Sequence, residues 1–416
     1  MSREPIVASL QSVRRLAVTK QHLAGKVPAR ATTAAVVRVV RDTAFIQWDP
    51  VTVVSPSHMI SMWARLGDFR PADLERLLWR EKRLFLHWIP IAALVLTEDY
   101  PLYYSMMRRY PESLSKSWGS QRAYARTFLA GHSKLRRKIL AALRKGPLQV
   151  GQFEDHSRTP RNDGEWGSSS DVSLMLYLLL MRGEVMVVGH EGGQNLWGLS
   201  ESFLPSWVDK GNLSGPEFEE LAAQRALRAL GTATRKEIQY HFPRGMYHDL
   251  PGALARLEAM STIHRVKVDE LGHHDERYIH AEDVRALESM TTAAWQPRMS
   301  LLPPFDNMVG SQERLNRLFG FDYIREQFLP KEKRKFGTYV LPILHGDRFI
   351  GRIDPRLDKT KNELVINSVH AEPGAPTDRE TAAEIGETIE RLGRLVGATQ
   401  VTYTRRVPEP WKSSLR

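Results

Sequence analysis

Apolar residues recur every three or four positions through much of the first 290 residues of this 416-residue chain. Such spacing gathers them on one face of a helix and leaves charged residues on the other faces. The sequence Thr234–Glu237 is a capping-box signature and predicts a short helix that begins there. The pattern predicts further helices at residues 11–24, 33–43, 56–66, 74–78, 88–96, 133–145, 172–181, 219–230, 248–260 and 380–396.

Runs of β-branched and aromatic residues between turn-forming residues predict strands. A short strand is expected at 45–48, with further strands at 363–367 and 401–403. The basic tail, 405–416, is expected to fray. Hairpins are expected where two runs flank a glycine-containing turn, at 184–188 with 196–199, 263–268 with 277–280, and 339–344 with 348–353.

Helices followed by a two-stranded wing are typical of the winged-helix domain, and this order occurs twice, at 133–212 and 213–290. We therefore predict an α+β fold of tandem winged-helix (helix-turn-helix) domains. A β-rich C-terminal domain with a terminal helix is expected at 291–416, and residues 1–132 are expected to form an N-terminal winged-helix-like domain. The alternative is a mixture of helices and strands without a repeated module.

The charge balance is strongly basic, with 59 Lys and Arg against 48 Asp and Glu, a formal charge of +11. A surplus of this size favours a polyanionic partner, most simply nucleic acid, although a basic protein without such a partner has the same composition. There is no cysteine, which excludes disulfides, thiolate zinc sites, iron–sulfur clusters and cysteine nucleophiles.

Several features bear on location and cofactors. No apolar run approaches the ~20 residues that a bilayer requires, and the N-terminal sequence lacks the apolar core of a secretion signal. We therefore expect a cytoplasmic protein without a membrane partner. Walker, dinucleotide-binding, HExxH and GxSxG motifs are absent, and His273–His274 fits a solvated turn better than a metal site. Neither a metal nor another cofactor is expected.

One constellation could carry chemistry, namely Gln47, Trp48 and Asp49 in a β-prone run. In an extended segment, residues two apart point the same way, so Gln47 and Asp49 would face one site while Trp48 turns toward the core. Pro50 would restrict Asp49 to an extended conformation. A carboxylate and an amide that converge can hold and deprotonate a water. The alternative is that Gln47 and Asp49 cap the next helix.

Several segments, in this order along the chain, resemble the YcaQ/AlkZ-like winged-helix DNA glycosylases. They are SVRRLAVTKQHLAG (12–25), FIQWDPVTVVSPSHMISMWARLGDF (45–69), LLPPFDN (301–307), LFGFDY (318–323) and LPKEKRKFGTYVLPILHGDRFIGRID (329–354). The sequence departs from residues frequent in the family at Pro56, Pro90, Ser311 and Gln312.

The resemblance implies tandem winged helices that form a basic DNA-binding concavity, and hydrolysis of the N-glycosidic bond of alkylated bases in DNA repair. Gln47 matches the motif glutamine and Asp49 its acidic partner, which are the expected catalytic residues. The Gln-x-Asp form points to the branch associated with N7-alkylpurines and crosslinked DNA. Trp48 is expected at the pocket, and His58, which resembles a family histidine, lines the pocket or packs in the core.

Two basic segments are candidates for contact with DNA phosphates. One is Lys331, Lys333, Arg334 and Lys335 with Arg348 and Arg352 on the following hairpin, and the other is Lys134, Arg136, Arg137 and Lys138. The motif has no lysine for a Schiff base, so we expect a monofunctional hydrolase. We also expect it to act on duplex DNA as a monomer. The alternatives are a non-enzymatic winged-helix regulator and, less favoured because no acidic metal cluster is visible, a nuclease.

Overall fold

The computed structural model describes residues 4–28, 30–49, 51–89, 91–155, 157, 170–292, 294–404, 407–412 and 414–415. The chain divides into two compact units. The first unit is formed by Met1–Asp73, Gln224–His241 and Ala255–Arg416. The second unit is formed by Leu74–Ala223 and Phe242–Leu254.

The described residues form α-helices along the whole chain. Their bounds are α1 Leu10–Lys20, α2 Thr33–Thr43, α3 Ser57–Leu66, α4 Pro71–Glu75, α5 Tyr100–Met107, α6 Gly119–Gly131, α7 Ser133–Leu143, α8 Asp171–Met181, α9 Ser200–Phe203, α10 Gly215–Leu230, α11 Arg235–His241, α12 Leu250–Ala259, α13 Val284–Ser289, α14 Gln312–Phe319 and α15 Arg379–Leu395.

The strands of the described residues are short in the N-terminal half and longer toward the C terminus. Their bounds are β1 Ile6–Val7, β2 Ile46–Gln47, β3 Leu84–Trp88, β4 Ala92–Leu96, β5 Val185–Glu191, β6 Gln194–Leu199, β7 Thr232–Thr234, β8 Ile263–Lys267, β9 Arg277–His280, β10 Met299–Leu301, β11 Leu341–His345, β12 Arg348–Asp358, β13 Glu363–Ala371 and β14 Gln400–Tyr403.

Two sheets organise the first unit. The smaller has the strand order β1-β8-β9-β7, and the larger has the order β10-β11-β12-β13-β14. Val13 and Leu16 of α1 are fully buried and share a core cluster with Val266 and Ile279 of the smaller sheet. α15 packs on the larger sheet through buried residues at helical spacing, such as Ile385 and Ile389. α3 packs against β10 of the same sheet and against β2 and α2.

The second unit contains two antiparallel hairpins, β3–β4 and β5–β6, together with the helices that pack on them. The helix α8 is apolar from Leu174 to Met181 and is largely buried. It packs against α7, since a helix that is hydrophobic on most faces requires cover on most sides. No helix among the described residues is long and apolar enough to cross a membrane.

Most predicted elements are confirmed, including all three predicted hairpins and the capping box. Thr234 N–H donates to the Glu237 carboxylate at 3.0 Å, and Glu237 N–H donates to the Thr234 hydroxyl at 3.2 Å. The helix predicted at 88–96 is wrong, because this segment forms the end of β3 and all of β4. Periodicity cannot separate a short buried strand from a buried helix. The mixture of helices and strands is confirmed, whereas the tandem winged-helix arrangement and the four domain boundaries stay predictions.

Candidate active site

The turn that leads from α2 into the Gln-x-Asp segment is fixed by a distant side chain. Ala44 has a φ of 71°, which is unusual for a residue other than glycine. The side-chain amide of Asn307 donates to the carbonyl of Thr43 at 3.2 Å and to that of Phe45 at 2.6 Å. Such a strained backbone persists only where its surroundings determine it. Asn307, in the 301–307 segment, therefore fixes the direction that the chain takes from the end of α2 toward Gln47.

The Asp49 carboxylate is buried, at 9% exposure, and closes a turn within its own loop. Its Oδ1 accepts the N–H of Val51 at 2.9 Å, and its main-chain carbonyl accepts the N–H of Ser57 at 3.3 Å. Pro56 occupies the N-cap position of α3, where no side chain caps the helix. The helix-capping alternative is therefore wrong for the Asp49 side chain.

Asp49 has an unusual electrostatic environment. Burial raises the pKa of Asp49, and the hydrogen bond from the Val51 amide opposes the shift without reversing it. Among the described residues, no lysine, arginine or histidine forms an ion pair with Asp49. A carboxylate that is buried without a cation is a stronger base than an ordinary aspartate.

Two buried hydroxyl groups lie at the same site, those of Ser57 and Tyr339. Both residues are 1% exposed, and apart from the contact between them neither hydroxyl oxygen has a hydrogen-bond partner among the described residues. Burial raises the pKa of the Tyr339 phenol; the Ser57 hydroxyl opposes this shift and the charge of Asp49 adds to it. The phenol therefore stays protonated and can donate a hydrogen bond.

The sequence analysis did not identify Ser57 or Tyr339. Both lie inside segments that carry the family resemblance, at 45–69 and 329–354. Their place in these segments was the available signal. No local sequence pattern relates Tyr339 to Asp49, which is almost 300 residues earlier in the chain.

A second carboxylate holds Tyr339 in place. Asp354 sits at a β-bulge in β12, and its Oδ1 accepts the N–H groups of Thr338 at 3.0 Å and of Tyr339 at 2.9 Å. Gly337 has a φ of 150°, and a Cβ added there would lie 2.2 Å from Asp354 Cγ. Glycine is required at this position because the backbone passes directly against the carboxylate. A bulge next to a site commonly aims a side chain in this way.

Trp48 and His58 form a stacked pair beside the motif. Their ring centroids are 3.9 Å apart and the rings are inclined by 14°. His58 is buried and Trp48 is half-buried, whereas Asp49 is more buried than Trp48. The predicted alternation, with Trp48 in the core and Gln47 and Asp49 facing one site, is therefore not observed. β2 ends at Gln47, which is half-buried, and the Asp49 carboxylate bonds to the backbone of its own loop. Pro50 lies outside the described residues, and the pocket roles of Trp48 and His58 stay predictions.

α3, which begins at Ser57, is anchored at its other end by a buried ion pair. Arg65 and Asp306 are paired through both guanidinium Nη atoms, at 2.6 and 2.9 Å, and both side chains are fully buried. The Ser61 hydroxyl donates to Asp306 at 2.7 Å. Burial acts to raise the pKa of Asp306, but the Arg65 charge and these hydrogen bonds outweigh it and lower the pKa.

The basic residues at 331–335 differ in their exposure to solvent. Lys331, Lys333 and Lys335 are exposed. Arg334 is half-buried and donates to the Leu329 carbonyl at 3.0 Å and to the Thr338 hydroxyl at 3.1 Å. The three lysines are therefore better placed for phosphate contact than the arginine among them.

Arg352 requires a correction as a predicted DNA contact. It is 3% exposed, is paired with Glu372 at 2.6 Å, and lies over the rings of Phe321 and Phe336. A guanidinium held in this way packs the sheet and is not available to phosphate. Arg348, by contrast, is exposed and donates to the Gly374 carbonyl at 3.0 Å.

In the second unit, Arg136 and Arg137 lie on α7. Arg136 is half-buried and paired at 2.5 Å with Glu184, which Arg182 also contacts. Arg137, Lys134 and Lys138 are exposed. DNA contact by these residues stays a prediction, and Arg137 is better placed for it than Arg136.

The positions at which the sequence departs from the family have structural roles where they are described. The Ser311 hydroxyl accepts the N–H of Arg314 at 3.3 Å and caps α14, which begins at Gln312. Pro56 precedes α3. Pro90 lies outside the described residues. Within the described ranges, no group of three His, Asp or Glu side chains could hold a metal ion.

Comparison with known families defines the class of protein. A family model described as "DNA glycosylase AlkZ-like" matches residues 40–395, which include Asp49, Ser57 and Tyr339. The chain therefore belongs to the AlkZ-like family of DNA glycosylases. Membership makes it a DNA-repair enzyme that acts on DNA, which favours the predicted glycosylase over the alternative of a non-enzymatic regulator.

The fold is similar to that of a solved member of this class. Streptomyces sahachiroi DNA glycosylase AlkZ superimposes with a TM-score of 0.66 at 16% sequence identity. The match covers 97% of this chain and 100% of the Streptomyces chain. At this identity the likeness establishes a shared fold.

Proposed function

We propose that this glycosylase removes N7-alkylated purines from duplex DNA, with Asp49 as the general base and Gln47 orienting the attacking water. The observation that carries this proposal is the environment of Asp49. It is a buried carboxylate, it has no cationic partner among the described residues, and its pKa is raised. Perturbed carboxylates of this kind concentrate at functional sites.

The proposed chemistry requires few groups. Alkylation at N7 gives the purine a positive charge, so the base leaves as a neutral molecule and needs no strong acid. The enzyme must then stabilise an oxocarbenium-like sugar and deliver water to it. A carboxylate does both, since its charge faces the developing cation and its oxygen accepts a proton from water.

The two hydroxyl groups beside Asp49 fit the same step as positioning groups. A water hydrogen-bonded to Asp49 needs further partners that leave one of its lone pairs directed toward the sugar. The protonated phenol of Tyr339 can donate to that water, and Ser57 can donate or accept. Apart from the contact between them, both hydroxyls have hydrogen-bonding capacity left for a water, which supports this arrangement.

The finer properties of the enzyme follow the sequence. The Gln-x-Asp motif contains no lysine that could form a Schiff base, so the enzyme is monofunctional and leaves an abasic site without strand cleavage. The Gln-x-Asp form extends the substrates to N7-linked interstrand crosslinks. The segments 133–212 and 213–290 act as winged helices on DNA, and the enzyme works as a monomer in the cytoplasm, at the nucleoid.

The test is incubation of purified protein with duplex DNA that carries one N7-methylguanine, with chromatography of the released base. We expect free N7-methylguanine and an abasic site that breaks only after alkali. The matched control is Asp49→Asn, which keeps size and hydrogen bonding. Tight DNA binding without base release would overturn the proposal, and strand breakage without alkali would contradict a monofunctional enzyme.

A further inference from the structure

Phe328 is the most exposed large hydrophobic side chain among the residues that the structure describes, at 72% exposure, and Ile324 nearby is 60% exposed. Exposing an aromatic ring to water forgoes the free energy of burying it. Phe328 also contacts the half-buried ring of Phe305, and exposed apolar groups that lie together often mark a surface that meets a partner.

The turn that carries Phe328 is held firmly. Glu326, two residues before it, is buried, and its Oε2 accepts the N–H groups of Phe336 at 2.8 Å and Gly337 at 3.0 Å. The Phe328 ring meets the edge of Phe305 at a centroid distance of 6.2 Å, and Arg325 lies over the other ring. The exposed ring therefore projects from a fixed base.

The charge around this ring matches DNA. Lys331, Lys333 and Lys335 follow within seven residues and are exposed. Lysines contact phosphates irrespective of sequence, whereas an apolar ring that precedes them in the chain makes no favourable contact with a phosphate. Aromatic and aliphatic side chains flanked by cations are the groups that enter a base stack.

The turn is connected to the candidate active site through a short segment of the same unit. Glu326 binds the backbone at 336 and 337, and Asp354 binds it at 338 and 339. Tyr339, at the end of this segment, is the residue whose phenol responds to the charge of Asp49. Two sets of hydrogen bonds therefore fix the segment between the Phe328 turn and Tyr339, whose phenol lies within the electrostatic reach of Asp49.

We propose that Phe328 is a wedge that enters the base stack of duplex DNA and occupies the space left by the extruded target nucleotide. A glycosylase cannot reach a sugar inside an intact stack and must take the nucleotide out of it. A ring that fills the gap keeps the nucleotide from returning. This inference rests on the proposed excision from duplex DNA.

The test uses a duplex with N7-methylguanine and the fluorescent base 2-aminopurine beside it, which brightens when it is unstacked. All proteins carry Asp49→Asn, so that binding is observed without excision. We expect the 2-aminopurine fluorescence to rise when the Asp49→Asn protein binds. Most of this rise should be absent when Phe328→Ala is added, and it should be retained with Phe328→Trp. Met260→Ala is the matched control, since Met260 is also exposed, at 58%, but no lysine run follows it.

A second readout uses proteins with Asp49 intact. Phe328→Ala should slow single-turnover excision from duplex DNA by roughly 5- to 150-fold, the range that base–aromatic stacking contributes. It should leave excision from a single strand almost unchanged, because no stack has to be opened there. Equal fluorescence and equal duplex excision by Phe328→Ala would overturn the wedge. Failure of the wild type to release any base would overturn the proposed function, whereas the fluorescence result stands without excision.

Discussion

Asp306 and Asp49 are both buried carboxylates of the first unit, but they are held in opposite ways. Asp306 accepts two bonds from Arg65, one from Ser61 and one from the Met308 amide, and its pKa is lowered. Asp49 accepts a single amide from its own loop, and its pKa is raised.

The difference separates a structural carboxylate from the one that the proposed mechanism uses as a base. A buried charge is tolerated when a cation and hydrogen bonds replace its water, as they do for Asp306. Glu237 follows the same rule, since Arg277 and Arg314 pair with it. Asp49 has neither a cation nor several hydrogen bonds among the described residues to replace its water. Its ionised form therefore lowers the stability of the fold, and its carboxylate can accept a proton. This combination is expected where a group is retained for chemistry.

The comparison predicts its largest effects for two matched substitutions. Asp49→Asn should lower single-turnover excision by about 10²–10⁴-fold through loss of the general base, with a further loss of charge stabilisation. Its melting temperature should stay the same or rise, because an ionised group whose pKa is raised on folding destabilises the fold at neutral pH.

Asp306→Asn should do the reverse. It leaves Arg65 buried without its anion, so the free energy of unfolding should fall by about 3–5 kcal/mol. Excision per folded molecule should stay far closer to wild type than for Asp49→Asn. Denaturant titration and single-turnover kinetics on both variants measure the pair, and a well-folded Asp49→Asn protein with normal excision would remove the distinction.

Smaller effects are expected for the groups around Asp49. Tyr339→Phe removes one hydrogen bond to the water and should slow excision by about 3- to 10-fold. Because Ser57 is the only described group that the phenol oxygen contacts, stability should change little. Gln47→Ala should also cost less than Asp49→Asn, since it removes orientation of the water and leaves its activation. Loss of stability by Tyr339→Phe, with unchanged excision, would assign Tyr339 to packing.

The smallest effect on excision is expected for the basic segment at 331–335. Replacing Lys331, Lys333 and Lys335 with glutamine should weaken DNA binding for every sequence and reduce the salt slope by up to about 0.9 per lost phosphate contact. Arg334→Gln should change the slope little, because Arg334 is bonded to Leu329 and Thr338. Binding titrations at several salt concentrations compare the two variants. Equal salt slopes for the triple variant and the wild type would show that these lysines do not contact DNA phosphates.

Local patterns predicted much of the fold, since most helices, the hairpins and the capping box follow from neighbouring residues. The error at 88–96 arose where a short apolar run fits either element. The tail was expected to fray, yet Trp411 is fully buried and its indole donates to the Pro376 carbonyl at 2.9 Å. A single tryptophan in a basic tail gives no periodicity from which burial could be inferred.

The candidate site was only partly predictable, for a physical reason. Gln47 and Asp49 are neighbours in sequence, so their motif was visible. Tyr339 reaches Asp49 only through the folding of the larger sheet, and it depends on Asp354 and Gly337 for its position. The family resemblance located these segments, but it did not indicate which of their side chains would meet.

The most direct test of the central role of Asp49 is the pH dependence of single-turnover N7-methylguanine excision, corrected for spontaneous depurination. The account predicts that wild-type excision falls as pH drops through the raised pKa of Asp49, and that Asp49→Asn is slow at every pH. The fold should outlast the activity, because the stability that Asp306 contributes is lost only as pH falls below its unfolded pKa and through its lowered folded pKa. A wild-type profile that is flat until the protein unfolds, or that Asp49→Asn reproduces, would contradict the account.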